Sequence, residues 1–140
     1  MKALHFTILI LIGLTAVVSA AIGENEQQIE ARYGKPAKMM TERGNFRVLG
    51  YLSNGFMILV DFVNGISQRE GFTSPDNSAL SKNDIDQIFA ISGGPGLTWD
   101  ELPDKEGARY WSRSDWKAIA MASADGKYLT VRDPGFVQPK

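Results

Sequence analysis

Cysteine is absent from this 140-residue chain, and histidine occurs once, at His5. Those two gaps exclude more than any motif present admits. A thiol nucleophile needs a cysteine, and a Ser-His-Asp triad needs an imidazole that exchanges a proton near neutral pH. Zinc sites are built mainly from the same two residue types. Disulfides are excluded as well, so an exported domain of this composition must hold together by burial alone. Blocks of one charge are also missing: 15 Lys and Arg are scattered among 16 Asp and Glu, for a formal charge of −1. Nucleic-acid binders concentrate positive charge on one face; here the one mildly basic segment, from Arg32 to Arg47, is interrupted by Glu42 and reads as solvated surface. No nucleic-acid partner is expected.

One long run without charge does occur. Lys2 is followed by Phe6 to Val18, then by the small residues Ser19, Ala20 and Ala21, the layout of a secretory signal peptide. The reading is a signal over residues 1–20, cleaved after Ala20, with Ala21 an equally well-formed end. An uncleaved anchor competes with it, since about 20 apolar residues span a bilayer. Export to the periplasm or the extracellular space follows, and membrane contact is expected only through that segment if it is retained. Cleavage would remove His5, and residues 21–140 then contain neither His nor Cys. They make one domain of ordinary size.

What remains for catalysis is carboxylates, Lys or Tyr chemistry, and hard cations held by oxygen. Four carboxylates fall close together at Asp100, Glu101, Asp104 and Glu106. A glycosidase pair needs two carboxyls about 5 to 10 Å apart on rigid elements, and a calcium loop needs ligands at alternate positions around a central Gly. A stretch broken by Pro103 and Gly107 fits neither and reads as a solvated loop. No catalytic residue, cofactor or metal ligand is assigned.

The organisation is read from periodicity and turns. Glu24 to Tyr33 is expected to be helical, with Ile29 and Tyr33 one turn apart, ending at Gly34 before Pro36. Asn54-Gly55 and Asn64-Gly65 separate apolar runs, the strongest short-range hairpin signal, and predict strands over Phe46–Ser53, Phe56–Val63 and Ile66–Phe72. With two-residue turns throughout, Leu49, Tyr51, Phe56, Ile58, Val60 and Phe62 share the core face. Val48, Leu52, Met57, Leu59, Val63, Ile66 and Phe72 share the other, which is too apolar to stand bare. A second layer or a partner should cover it.

Ser81 and Asp84 resemble a capping box, opening a helix to about Ser92. The Gly93-Gly94-Pro95-Gly96 run then follows a helix. A phosphate cradle precedes one, at the end where free N–H groups and the positive dipole attract an anion, so these glycines read as a cap with Gly93 left-handed. Trailing strands around Ser114-Asp115 and Asp125-Gly126 put Ala118, Ala120, Ala122, Leu129 and Val131 on one face, small enough for close approach by a helix. The matching spacing of turns in the two halves predicts an α+β fold of two αβββ repeats, about 24–73 and 81–132, with helices packed on antiparallel meander sheets.

Tyr33-Gly34-Lys35-Pro36, the segment Leu80 to Ile85, and Trp111-x-Arg113-x-Asp115-x-x-Ala118-x-Ala120 together resemble small secreted bacterial proteins of unassigned function. They are similar to β-lactamase-inhibitor-like and outer-membrane assembly lipoprotein domains. The resemblance implies a binding or assembly scaffold without catalytic residues. The function expected is therefore a non-catalytic binding or assembly module of the bacterial envelope or secreted space, engaging a protein or other ligand through a sheet face. Two alternatives stand beside it: a carboxylate-based hydrolase or lyase acting on glycans, and a self-associating structural domain that forms a homodimer. The candidate partner-binding residues are Tyr110, Trp111, Trp116, Ile119, Met121 and Tyr128, since Trp and Tyr bring large contact area with little entropy loss. A place in the core competes for Trp99 and Trp111.

Overall fold

The computed structural model describes residues 21–140, and the expected signal segment at residues 1–20 lies outside them. Two helices form where the caps direct. Helix α1 spans Glu26–Tyr33 behind an Asn25–Gln28 capping box, with Asn25 Oδ1 accepting from the Gln28 N–H at 2.9 Å. It stops at Gly34, whose φ of 85° lies where glycine is favoured. Helix α2 spans Lys82–Gly93 behind the Ser81–Asp84 box. It runs one residue further than expected, so Gly94, not Gly93, takes the positive φ. Two guanidiniums reach the last carbonyls of α2, Arg32 at Ile91 O (3.2 Å) and Arg113 at Ser92 O (3.3 Å). Cations belong at that negative end of the dipole, so the glycine run closes a helix. Among the described residues no helix is long and apolar enough to cross a membrane.

Eight strands follow: β1 (Lys38–Arg43), β2 (Phe46–Ser53), β3 (Phe56–Val63), β4 (Ile66–Thr73), β5 (Trp99–Lys105), β6 (Ala108–Arg113), β7 (Ile119–Ala122) and β8 (Tyr128–Arg132). Both Asn-Gly turns have positive φ at both residues, 54° and 81° at Asn54 and Gly55, 51° and 75° at Asn64 and Gly65. The expected pair of αβββ repeats does not form. All eight strands lie in one antiparallel sheet, ordered β1-β2-β3-β4-β8-β7-β6-β5, and the molecule is mostly β with two helices on it. Two strands escaped the sequence reading because they are the sheet's edges. β1 carries Lys38, Glu42 and Arg43 and a register shift between Met39 and Thr41; β5 carries the acidic cluster, Pro103 and a shift between Leu102 and Lys105. Charges, prolines and bulges are what keeps an edge from pairing with other chains, and they also erase the alternation that marks a strand.

The helices cover one face only. Beneath them Leu49 pairs with Val60, Glu70 stands between Val60 and Val131, and Tyr51, Ile58, Phe72 and Leu129 pair each with the next across neighbouring strands; Ile29 and Ile88 join them from the helices. Burying each such side chain contributes roughly 1.5–3 kcal/mol. Phe89 of α2 stacks on Trp99 at 4.8 Å and meets Trp111 edge-on at 5.1 Å, while Ala118, Ala120 and Ala122 lie buried in the same cluster.

Phe72 belongs to this covered face and not to the open one, because of a bulge. Phe62 pairs with Ser67 but Asp61 pairs with Arg69, leaving Gln68 as an extra residue. A one-residue offset reverses every later side chain, so Phe72 and Glu70 turn inward and Arg69 outward. At the other end of the sheet the register holds although the turn differs. Ala122 faces Leu129 and Ala120 faces Val131 as expected, but only Gly126 has positive φ (70°), and its N–H closes the turn on Ser123 O at 2.9 Å.

Candidate functional site

The face without helices carries the groove and the exposed apolar side chains. Its central row crosses the strands as Lys38, Gly50, Leu59, Gly71 and Thr130, each paired with the next. On one side lies the row Leu52, Met57, Thr73 and Tyr128. Leu52 is 63% exposed, Met57 44% and Tyr128 41%, a sharp contrast with the sealed side. A groove of about 650 Å³ runs along these two rows, flanked by Met40 and by Arg69. Gly71 hollows its floor, while Gly50 lies beneath the Leu59 and Met40 side chains. A Cβ on Gly71 would meet only Thr130 Cγ2, at 4.0 Å, and one on Gly50 would meet Leu59 Cδ2 and Lys38 O at 3.5 Å. Neither glycine has a positive φ, so neither is demanded by backbone conformation.

The other margin of the open face is occupied. After β8 the chain turns back: the Asp133 N–H donates to Gln68 O at 2.8 Å, and Arg132 Nη1 reaches the carbonyls of Asp133, Pro134 and Phe136 at 3.2, 3.3 and 3.4 Å. Arg69 lies 5.9 Å from the centre of the Phe136 ring and donates to Gln138 Oε1 at 3.2 Å. Arg43 Nη1 meets Lys140 O at 2.9 Å. Arg69 also pairs with the fully buried Asp61 at 2.7 Å. Burial raises the Asp61 pKa, and the Arg69 charge opposes that rise.

The six candidate binding residues divide. Tyr110, Ile119, Met121 and Tyr128 come together on the open face around a second hollow of about 250 Å³, with Arg69 and Arg132 beside them. Trp111 is on the opposite face, 5% exposed beneath α2. Trp116 is 72% exposed in the β6–β7 loop, with a φ of 59°, an outlying conformation for a bulky residue. Asp100 and Glu101 follow one another in β5 and so point to opposite faces; Glu101 pairs with Arg109 at 2.9 Å. They do not converge on one bond. Among the described residues no group of three or more His, Cys, Asp or Glu side chains is placed to hold a metal ion.

A buried polar cluster was missed by sequence reasoning. Both helices end over Glu70, which is fully buried. The hydroxyl of Tyr33, last residue of α1, donates to Glu70 Oε1 at 2.9 Å. Glu70 Oε2 and the Ser92 hydroxyl of α2 face one another and are buried with no other hydrogen-bond partner. Burial drives the Glu70 pKa up to about 7, with the Tyr33 hydrogen bond and the Arg32 charge opposing; the same burial, with Glu70 adjacent, raises that of Tyr33. A neutral Glu70 can donate its proton toward Ser92. The signal for the cluster was the bulge at Gln68, which residue types alone do not announce. Closed off beneath two helices, it is a structural element of the core.

No protein-family model matches this chain, and no curated protein sequence matches it. Solved structures with some likeness include a cysteine-rich secretory protein from Staphylococcus aureus subsp. aureus Mu50, at 10% identity and a TM-score of 0.47, over 81% of this chain and 45% of that one. Another is an extracellular protein containing a SCP domain from Bacillus anthracis str. Ames, also at 10% identity and a TM-score of 0.47, over 94% of this chain and 50% of that one. The chain spans about half the length of these two proteins.

Proposed function

We propose that this protein is an exported, non-catalytic binding module that works through the open face of its sheet. The observation that carries the reading is the asymmetry of the sheet: one face is sealed by two helices, while the other leaves Leu52, Met57 and Leu59 exposed around a groove. An apolar concavity rimmed by a few polar groups is the usual form of a ligand site. Composition supports the non-catalytic part, since residues 21–140 hold neither imidazole nor thiol. The two carboxylates nearest one another in sequence, Asp100 and Glu101, project to opposite sides.

Oxidative footprinting tests the reading, because Met40 and Met57 report on the groove. Incubating the purified domain with an envelope extract should slow oxidation of both methionines relative to buffer, while Met39, which pairs with Leu49 on the other face, keeps its rate. Equal protection of all three, or of none, would count against an open-face site.

A further inference from the structure

The groove has the shape and charge for one kind of occupant. It crosses from β1 to β8, four strand spacings or about 19 Å at roughly 4.8 Å each, and its 650 Å³ falls within the range of small-molecule sites, roughly 300–1,000 Å³. That is too little space for a helix, whose diameter is about 10–12 Å, and a trough running across the strands does not accept an added strand. The walls are the flexible aliphatic side chains Met40, Leu52, Met57 and Leu59, and methionine adapts to irregular apolar shapes. The floor opens to bare backbone at Gly71, whereas Gly50 lies under Leu59 Cδ2 and Met40 Cγ, which a Cβ there would meet at 3.5 and 3.9 Å. Glycine inside a strand weakens it and marks a place where something approaches the backbone closely. Within this chain nothing comes close to Gly71: the nearest heavy atom to a Cβ there is 4.0 Å away.

Charge selects the head group. Arg69 is engaged by Asp61, Phe136 and Gln138, and Arg132 by three carbonyls. Lys38, at the β1 end of the groove, has no ion pair among the described residues. Asp61, the one carboxylate in the rows beside the groove, is buried and paired. We infer that the groove binds the aliphatic chain of a free fatty acid. The tail runs beside Leu59 to the open backbone at Gly71, and the acidic head sits at Lys38. This inference rests on the open-face reading above and narrows it to a ligand class.

Calorimetric titration of the purified domain with sodium dodecanoate below its micelle concentration tests it, with dodecyltrimethylammonium as the cationic control. Dodecanoate should bind and the control should bind at least about tenfold more weakly, a difference of about 1.4 kcal/mol. Lys38→Glu should weaken dodecanoate by a similar factor and leave the control unharmed. Gly71→Val should abolish binding while the melting temperature stays level or rises, because valine is the better strand former. If Gly71→Val lowers the melting temperature sharply, the glycine serves the fold, and Leu59→Gln, at a half-exposed position, carries the test instead. Binding that survives these floor and wall substitutions, or an equal preference for the cation, overturns the assignment. If dodecanoate does not bind at all but the extract still protects Met57, the ligand class is wrong and the face is right; if Met57 is unprotected too, both readings fail.

Discussion

The two faces of this sheet are made of similar residues put to different uses. On the covered face Phe62, Ile58 and Leu129 are wholly buried in one cluster with Ile29 and Ile88; on the open face Leu59, Met57 and Leu52 sit at equivalent places in the pleat and remain in water. Apolar content therefore does not separate core from surface here. The difference lies in the companions: the covered face sets Tyr51, Ile58, Phe72 and Leu129 side by side in one row, while the open face alternates Leu59 with Gly50 and Gly71.

Stability measurements can break that contrast. Phe62→Ala should produce the largest loss, about 3–5 kcal/mol of unfolding free energy by urea titration, as expected for an aromatic side chain removed from a closed core. A loss under 1 kcal/mol would mean that the covered face is loosely packed.

Next in size is an effect that belongs to the covered face alone. The Glu70 pKa is raised from 4.5 to about 7 in the folded state, so between those two pH values the folded chain holds a proton that the unfolded chain has released. Stability from this group is thus complete below pH 4.5 and lost as pH rises through 7, by on the order of 3 kcal/mol. Glu70→Gln, which stays uncharged, should flatten that decline and make the protein more stable than its parent at pH 8. Tyr33, Arg32, Glu24 and Ser92 surround the site in both proteins, so the difference between the two pH profiles reports Glu70. Matching profiles would show that Glu70 is hydrated in solution.

The smallest effect is expected on the open side. Leu52→Ser, at a position 63% exposed, should change stability by no more than about 0.5 kcal/mol, as surface substitutions do. A larger loss that grows with protein concentration in the parent would mean that a second copy covers this face.

How much of this could be read in advance depended on whether a signal was local. Asn54-Gly55 and Asn64-Gly65 need only neighbouring residues to act, and the registers between β2 and β3 and between β7 and β8 were legible from them. The Ser81–Asp84 cap and the stop at Gly34 are local in the same sense. The pairing of β4 with β8, which merges the strands into one sheet, joins segments more than fifty residues apart and leaves no trace in either. β1 and β5 were hidden by the charges that suit an edge. Around the second hollow, alternation in the sequence placed Ile119, Met121 and Tyr128 on one face; of the aromatic residues picked beside the Ser114-Asp115 turn, Tyr110 shares that face and Trp111 points inward. The groove itself was half visible: Leu52, Met57 and Leu59 were recognisable as surplus apolar surface, but Gly50 and Gly71 matter for what they omit.

The β4–β8 seam also has a meaning in time. A chain made from its amino end completes β4 long before β8 exists, and all of α2, β5, β6 and β7 must emerge in between. Throughout that interval β4, paired with β3 on one side, is a raw margin on the other. The residues at its middle, Arg69, Glu70 and Gly71, are poor material for adventitious strand capture. The charge that is awkward to bury in the finished fold thus guards the nascent one, and the seam waits for its own last strand.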